Sequence, residues 1–301
     1  MKLVLIVNPA AAAVRPAGRD RVAAALALDH DVEVIETARR SHASDLAREA
    51  AGAGAEVVVC LGGDGTVNEC ANGLAGTGCA LAPLPGGSTN VFSRAIGGHR
   101  KLSRALEGLQ AALGRPPQRV GLGKVNGRYF TFHVGMGFDA AVVTRVEQRP
   151  ELKRKLGQAV FVYAAFATWF AYDRRSPHFT VAAEGEAEDA DGYFAVCLNT
   201  SPYTYFGLRR LNLAVDASLD GPLAMVTLRE LRLGMMLSLL GSALASGKRI
   251  PRHRAVDYRP DRARVTVHSD VPFPYQTDGD PLGTTTALEI THEPDCLLLV
   301  R

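Results

Sequence analysis

The sequence has no charge excess of either sign. Its 34 Lys and Arg stand against 31 Asp and Glu, a formal net charge of +3. It lacks the concentrated basic stripe that tracks a phosphate backbone, so nothing points to a nucleic-acid partner. Cysteine is scarce and odd in number. The five (Cys60, Cys70, Cys79, Cys197 and Cys296) form no C-x-x-C pair. That disfavours a disulfide framework or a structural zinc site and fits a reducing, cytoplasmic setting. A spanning helix is also missing. The uncharged stretch Leu156–Tyr172 is shorter than the roughly 20 residues a transmembrane helix needs, and Gly157, Gln158 and Thr168 interrupt it. The first apolar run, Leu3–Val7, ends at Asn8-Pro9 and falls short of the roughly seven residues of a secretory signal core. It reads instead as a buried first strand.

The 301 residues are 47% hydrophobic and 22% charged, an ordinary globular balance at a length suited to two domains. In the first third, strand candidates (Leu3–Val7, continuous and buried on both faces, then Val32–Ile35, Val57–Leu61 and Ala80–Leu84) alternate with helical spacing (17–28, 43–53, 67–74, 91–96). Such alternation predicts an α/β domain, a parallel sheet flanked by helices. The pattern breaks at Gly114-Arg115-Pro116-Pro117. Beyond it, short strands are predicted at 119–124, 129–134, 179–182, 193–198, 223–227, 264–268, 288–292 and 297–300, an antiparallel β-sandwich interrupted by the apolar helix at 156–172. The expected division is residues 1–120 and 121–301. The acidic segment 183–192 reads as an exposed turn.

Three small-residue loops follow strands of the first domain: Asn8-Pro9-Ala10, Gly62-Gly63-Asp64-Gly65-Thr66 and Gly86-Gly87-Ser88-Thr89-Asn90. One such turn is as readily a space-saving strand-to-helix connection. Three at the carboxyl ends of parallel strands point to phosphate binding, because bare amides and helix N-termini attract anions there. Thr66 offers a hydroxyl to a phosphate oxygen, and Asp64 is a carboxylate where a magnesium-bound nucleotide would lie. The glycine spacing matches neither the dinucleotide fingerprint nor the P-loop.

Gly62–Leu74 (GGDGTVNECANGL) resembles the signature of the diacylglycerol kinase catalytic-domain family, lipid kinases related to sphingosine and ceramide kinases. Pro83–Gly97 resembles the family's P-x-G-T-x-N-D-F-A-R loop, Gly135–Ala140 its G-x-G-F-D-A, residues 216–221 its P-x-A-x-x-D-D-G turn and Gln276–Asp280 its Q-x-D-G-E. The resemblance runs along almost the whole chain. It implies a first domain like that of NAD kinases and phosphofructokinases, and transfer of the γ-phosphoryl group of ATP, with Mg2+, to a lipid hydroxyl. It implies nucleotide contacts from Asn8, Pro9, Thr37, Gly62, Gly63, Asp64, Gly65, Thr66, Asn68, Gly87, Ser88 and Asn90. Metal ligands would be Asp64 and, in the later turn, Asp220. The general base would be Asp278, with Asp280 second; without the resemblance, Asp278-Gly279-Asp280 reads as a β-turn.

Four departures stand out. Val91 replaces the motif's Asp, Asp280 its Glu and Ser88 its Thr, and Leu219 precedes Asp220 where the turn has Asp. They leave a nucleotide- and lipid-binding module with weak or altered catalysis as the alternative. A soluble NAD-kinase-type enzyme is a third reading, against which the apolar helix and Asn72-Gly73-Leu74 count. The lipid acceptor would be met at a membrane surface, with residues 156–172, Phe138 and residues 203–206 near its tail. The basic runs 149–155, 209–210 and 248–254 would lie near anionic headgroups, or be plain solvated faces. His133 reads as a satisfied core histidine. The sequence leaves the oligomeric state open, a homodimer included.

Overall fold

A computed structural model describes all residues except 150, 153–156, 158 and 185–187. It divides into two compact units, Met1–Leu122 with Glu293–Arg301, and Gly123–His292.

In the first unit the alternation predicted from the sequence forms. Strands β1 (Lys2–Val7), β2 (Asp31–Glu36), β3 (Val57–Gly62) and β4 (Ala80–Pro85) pair in parallel in the order β2-β1-β3-β4. Between and after them run helices α1 (Pro16–Leu26), α2 (His42–Gly52), α3 (Asp64–Leu74), α4 (Val91–Ala95) and α5 (Leu102–Leu113). Strands β1, β3 and β4 are apolar on both faces because both are covered, whereas β2, at the edge of the sheet, carries Asp31, Glu33 and Glu36 and is largely exposed. Leu3, Leu5, Val57, Val59 and Leu61 pack against Val22 and Leu26 of α1 and Leu106, Leu109 and Leu113 of α5. Val4, Ile6, Val58 and Cys60 point the other way and are also buried. The register sets Val7 beside Leu61 and Glu36, and Gly62 beside Pro85. Asn8, Thr37, Gly63 and Gly86 therefore leave the sheet along one edge.

Strand β5 (Gln118–Val125) leads into the second unit. There follow β6 (Arg128–Phe130), β7 (His133–Gly137), α6 (Phe138–Glu147), α7 (Ala159–Ala171), β8 (Phe179–Ala183), β9 (Ala190–Gly192), β10 (Phe194–Leu198), the hairpin β11–β12 (Thr204–Phe206, Arg209–Leu211), β13 (Leu223–Leu228), α8 (Leu233–Ala245), β14 (Val256–Arg262), β15 (Arg264–Thr277) and β16 (Asp280–Leu299). Strands β7 to β10 and β13 to β16 pair antiparallel within this unit. The register of β15 shifts between His268 and Phe273; before the shift it pairs with β8, after it with β7. A strand bent in this way lets one continuous sheet fold over on itself into the layers of a sandwich. Val134, Met136, Phe179, Val181, Cys197, Val265, Phe273 and Ile290 fill the space between.

Several boundaries differ from the sequence reading. The strand expected at 129–134 is broken at Thr131-Phe132, whose backbone N–H groups bond a side chain instead of a neighbouring strand. The strands expected at 288–292 and 297–300 are one 20-residue strand, β16. The expected division gave everything after residue 120 to the second unit, whereas residues 293–301 return to the first. There Leu298 and Leu299 pair with β4 and Leu297 and Leu299 are fully buried. Within the acidic segment, Ala190–Gly192 form β9, and residues 185–187 lie outside the described residues.

Candidate active site

At the carboxyl edge of the first unit's sheet, the two glycine turns lie backbone against backbone. A Cβ added to Gly86 would fall 2.8 Å from Gly62 Cα, and one added to Gly87 2.8 Å from Gly63 Cα. Only glycine permits this approach. At Gly65, in the first turn of α3, an added Cβ meets nothing within 4 Å. A surface of bare peptide groups beside a helix N-terminus is the cradle a phosphate needs.

Polar side chains tie the loops together. Asn8 Nδ2 donates to Thr66 Oγ1 at 2.9 Å. Asn90, at a left-handed φ of 50°, accepts the Gly87 N–H through Oδ1 (2.8 Å) and donates to Gly87 O through Nδ2 (2.9 Å). Asp64 Oδ1 accepts the Phe92 N–H at 3.1 Å, which links the start of α3 to the start of α4. Thr37 N donates to Val7 O at 2.9 Å, holding Thr37 at the same edge. Asn68 and Val91 are buried, Ser88 and Pro9 exposed. Most of the nucleotide residues proposed from the sequence thus share one sheet edge, and Asn90 and Asp64 brace the loops as well as bordering them.

In the second unit, Asp278 occupies the β15–β16 turn at a left-handed φ of 50°. Its carboxylate points inward. Oδ2 accepts the Thr131 N–H and hydroxyl, both at 2.7 Å, and Oδ1 accepts the N–H groups of Phe132 (2.9 Å) and His133 (3.0 Å). Four donors fill the four lone-pair positions of a carboxylate. Burial pushes the Asp278 pKa up, against the pull of those donors. Asp280, two residues on, is part-exposed, with Oδ2 3.8 Å from an Arg128 guanidinium nitrogen.

Beneath this turn runs a buried chain that the sequence reading did not assign. Tyr203 OH donates to Asp139 Oδ1 (2.5 Å), Gln276 Nε2 donates to Asp139 Oδ2 (2.8 Å), and Gln276 Oε1 accepts the Gly279 N–H (2.8 Å). A methyl group at Gly135 would overlap both Asp139 Oδ2 and Gln276 Nε2. The G-M-G-F-D and Q-T-D-G segments carried this signal jointly. Tyr203, expected near a lipid tail, spends its hydroxyl on Asp139 instead. Phe138 is core, packed with Tyr193 and Leu231. His133 is buried and held neutral, its pKa lowered to about 3 by desolvation, but its Nδ1 has no partner.

Burial raises the Asp139 pKa from the ordinary 3.8 to about 6. A carboxyl group raised in this way favours folding while protonated; that contribution is complete below about pH 4 and is lost as pH rises through about 6. The difference corresponds to roughly 3 kcal/mol. In Asp139→Asn the amide oxygen can still accept from Gln276 while its NH2 donates to the Tyr203 oxygen. Asp139→Asn should therefore gain stability relative to the parent between about pH 4 and pH 7. Urea unfolding at several pH values, followed by Trp169 fluorescence, measures this; parallel curves for the two proteins would contradict it.

Among the described residues no group of three or more His, Cys, Asp or Glu is placed to hold a metal ion. Asp64 and the exposed Asp220 thus belong to no protein-built cage. The Asp64 carboxylate beside the glycine turns is an oxygen donor of the kind magnesium prefers.

Residues 2–125 match the model of the diacylglycerol kinase catalytic domain, and residues 132–301 that of the YegS C-terminal NAD kinase beta sandwich-like domain. A probable lipid kinase YegS-like from Pseudomonas syringae pv. syringae is 34% identical over 147 residues, 48% of this chain and 46% of that protein. The chain thus matches about half the length of that relative. Another protein of that description, from Alcanivorax borkumensis, is 25% identical over 85% of this chain and 83% of its own. The diacylglycerol kinase of Bacillus subtilis is 28% identical over 75% and 72%. A solved structure of a putative diacylglycerol kinase from Bacillus anthracis str. Sterne superposes with a TM-score of 0.79 at 22% identity, covering 99% of this chain and 94% of that one. At that identity the likeness is one of fold.

Proposed function

Because the chain belongs to the diacylglycerol kinase catalytic-domain family and carries a YegS-type C-terminal domain, we propose that it is an ATP-dependent lipid kinase. It would transfer the γ-phosphoryl group to a hydroxyl of a lipid such as diacylglycerol. The observation that carries this reading is the pair of glycine turns packed backbone to backbone at the carboxyl edge of a parallel sheet.

Phosphoryl transfer asks mainly for positioning and charge stabilisation. Backbone N–H groups of residues 62–66 and 86–90 and the Thr66 hydroxyl would hold the nucleotide's phosphates, with Asn8 and Asn90 keeping the turns in register. The Asp64 carboxylate would hold magnesium, which would supply positive charge to offset that of the phosphates. A carboxylate takes the acceptor hydroxyl's proton late in the transfer. Asp278 was the first candidate for this base. With four donors on its two oxygens it can accept a proton only by releasing one of them. We therefore assign proton acceptance to Asp280 and give Asp278 the task of fixing the turn that presents it. The acceptor would be met at the membrane surface from the cytoplasmic side.

A lipid panel (diacylglycerol, a sphingoid base, ceramide, phosphatidylglycerol and a polyprenol) incubated with γ-labelled ATP, with products identified by mass spectrometry, tests the reading. One phosphorylated lipid is the expected result, dependent on magnesium and abolished by Asp280→Asn. The alternative, a nucleotide- and lipid-binding module with weak turnover, is favoured by buried Val91 where the family has a carboxylate. It predicts nucleotide binding without labelled product from any of the five lipids.

A further inference from the structure

Helix α7 contains no charged residue along its 13 positions, AVFVYAAFATWFA. Only a narrow stripe, Val160, Ala164 and Thr168 at i, i+4, i+8, is buried. The outward face is equally apolar. Phe161, Val162, Tyr163 and Phe166 are each between 38% and 46% exposed, and Phe170 is 74% exposed. A surface helix that meets only water is polar on that side, so this face lacks its complement. Helix α8 adds to the apolar surface. It too is uncharged, with Leu237 and Leu240 exposed, and Trp169 of α7 and Met236 of α8 pack into one cluster around Leu231.

Arginines border the aromatic face. The Arg149 guanidinium donates to Tyr163 OH at 2.9 Å, and that of Arg174 lies 3.9 Å from the centroid of the Trp169 ring. Beside Arg149 opens a cavity of about 340 Å³ walled by Arg145, Arg149, Thr144 and Gln148, with no carboxylate among the described residues of its lining. Asp173, just past the helix, is turned back on its own chain, Oδ1 accepting the Arg175 N–H at 3.0 Å.

We propose that α7 is the element by which the protein docks on an anionic phospholipid bilayer. Phe166 and Phe170 enter the headgroup boundary, and the Arg145–Arg149 cavity takes a lipid phosphate. Aromatic side chains rimmed by arginine are what the interface of a bilayer accommodates. No described helix is long and apolar enough to cross, so α7 lies along the surface. A second copy of the chain fits less well, because it would set the same arginines against themselves. The proposal deepens the lipid-kinase reading by naming the surface through which such an enzyme reaches its acceptor.

Co-sedimentation of the full chain with vesicles of phosphatidylcholine, alone or mixed with phosphatidylglycerol, tests it without nucleotide, so the outcome does not depend on catalysis. The wild type should pellet with the mixed vesicles, and less so at high salt. F166E/F170E should bind about a hundredfold more weakly, roughly tenfold for each phenylalanine no longer buried, with an unchanged melting temperature. R145Q/R149Q should lose the preference for phosphatidylglycerol and keep residual binding. Wild-type-like binding by F166E/F170E overturns the proposal, as does failure of the wild type to pellet with either vesicle. So does a lipid-free dimer of the wild type that F166E/F170E converts to monomer. Phosphorylation of detergent-dispersed diacylglycerol by the wild type is scored separately. Its absence counts against the kinase reading and leaves the docking result standing.

Discussion

Asp278→Ala should lower the unfolding free energy by at least about 4 kcal/mol and abolish phosphoryl transfer, whereas Asp280→Asn should abolish transfer with stability almost unchanged. Removing the Asp278 carboxylate strands the N–H groups of Thr131, Phe132 and His133 and the Thr131 hydroxyl, all in buried residues. Each buried donor left without an acceptor costs about 1–3 kcal/mol. Asp278→Asn is milder but still severe, because its NH2 group would face donors. Asp280 is part-exposed, and its ion pair with Arg128 is long at 3.8 Å, so its loss costs little stability. The single tryptophan, Trp169, lies in the second unit and reports on that unit's unfolding in urea. An Asp278→Ala protein of full stability would show that the carboxylate is not the anchor of the 131–133 segment. An active Asp280→Asn protein would remove the proposed base.

The second large effect concerns the glycine turns. Gly87→Ala places a methyl carbon 2.8 Å from Gly63 Cα, a backbone atom in a turn fixed on both sides. The turns must part, at a cost of about 1–3 kcal/mol in overpacking. Nucleotide affinity should fall at least about tenfold, since amides that share one phosphate no longer converge. Gly65→Ala is the control. Its Cβ would enter open space at ordinary φ, so the melting temperature should not move. Calorimetric titration with ATP and magnesium reads the affinity. Unaltered ATP binding by Gly87→Ala would separate the turns from the nucleotide.

The parallel sheet and its loops were legible because buried β-strands flanked by helices leave continuous apolar runs, and because three small-residue turns follow such runs in succession. The sandwich was legible from its short, regularly spaced strands. The return of residues 293–301 to the first unit was not. Leu297–Val300 looks the same whichever sheet it joins, and the polar stretch Thr284-Thr285-Thr286 hides the continuity of β16. The chain Tyr203–Asp139–Gln276 joins residues 64 and 137 positions apart, beyond the reach of any local pattern. The anchoring of Asp278 was hidden for a different reason. Three of its four donors are backbone amides, and amides are present at every residue but proline.

The pairing of Leu298 and Leu299 with β4 also orders events in time. During synthesis the parallel sheet of the first unit emerges early but must wait, one edge unfilled, while the entire second unit is translated. Only when residues 293–301 leave the ribosome can the β4 edge be closed, so the first unit's sheet is begun before the second unit is made and completed after it.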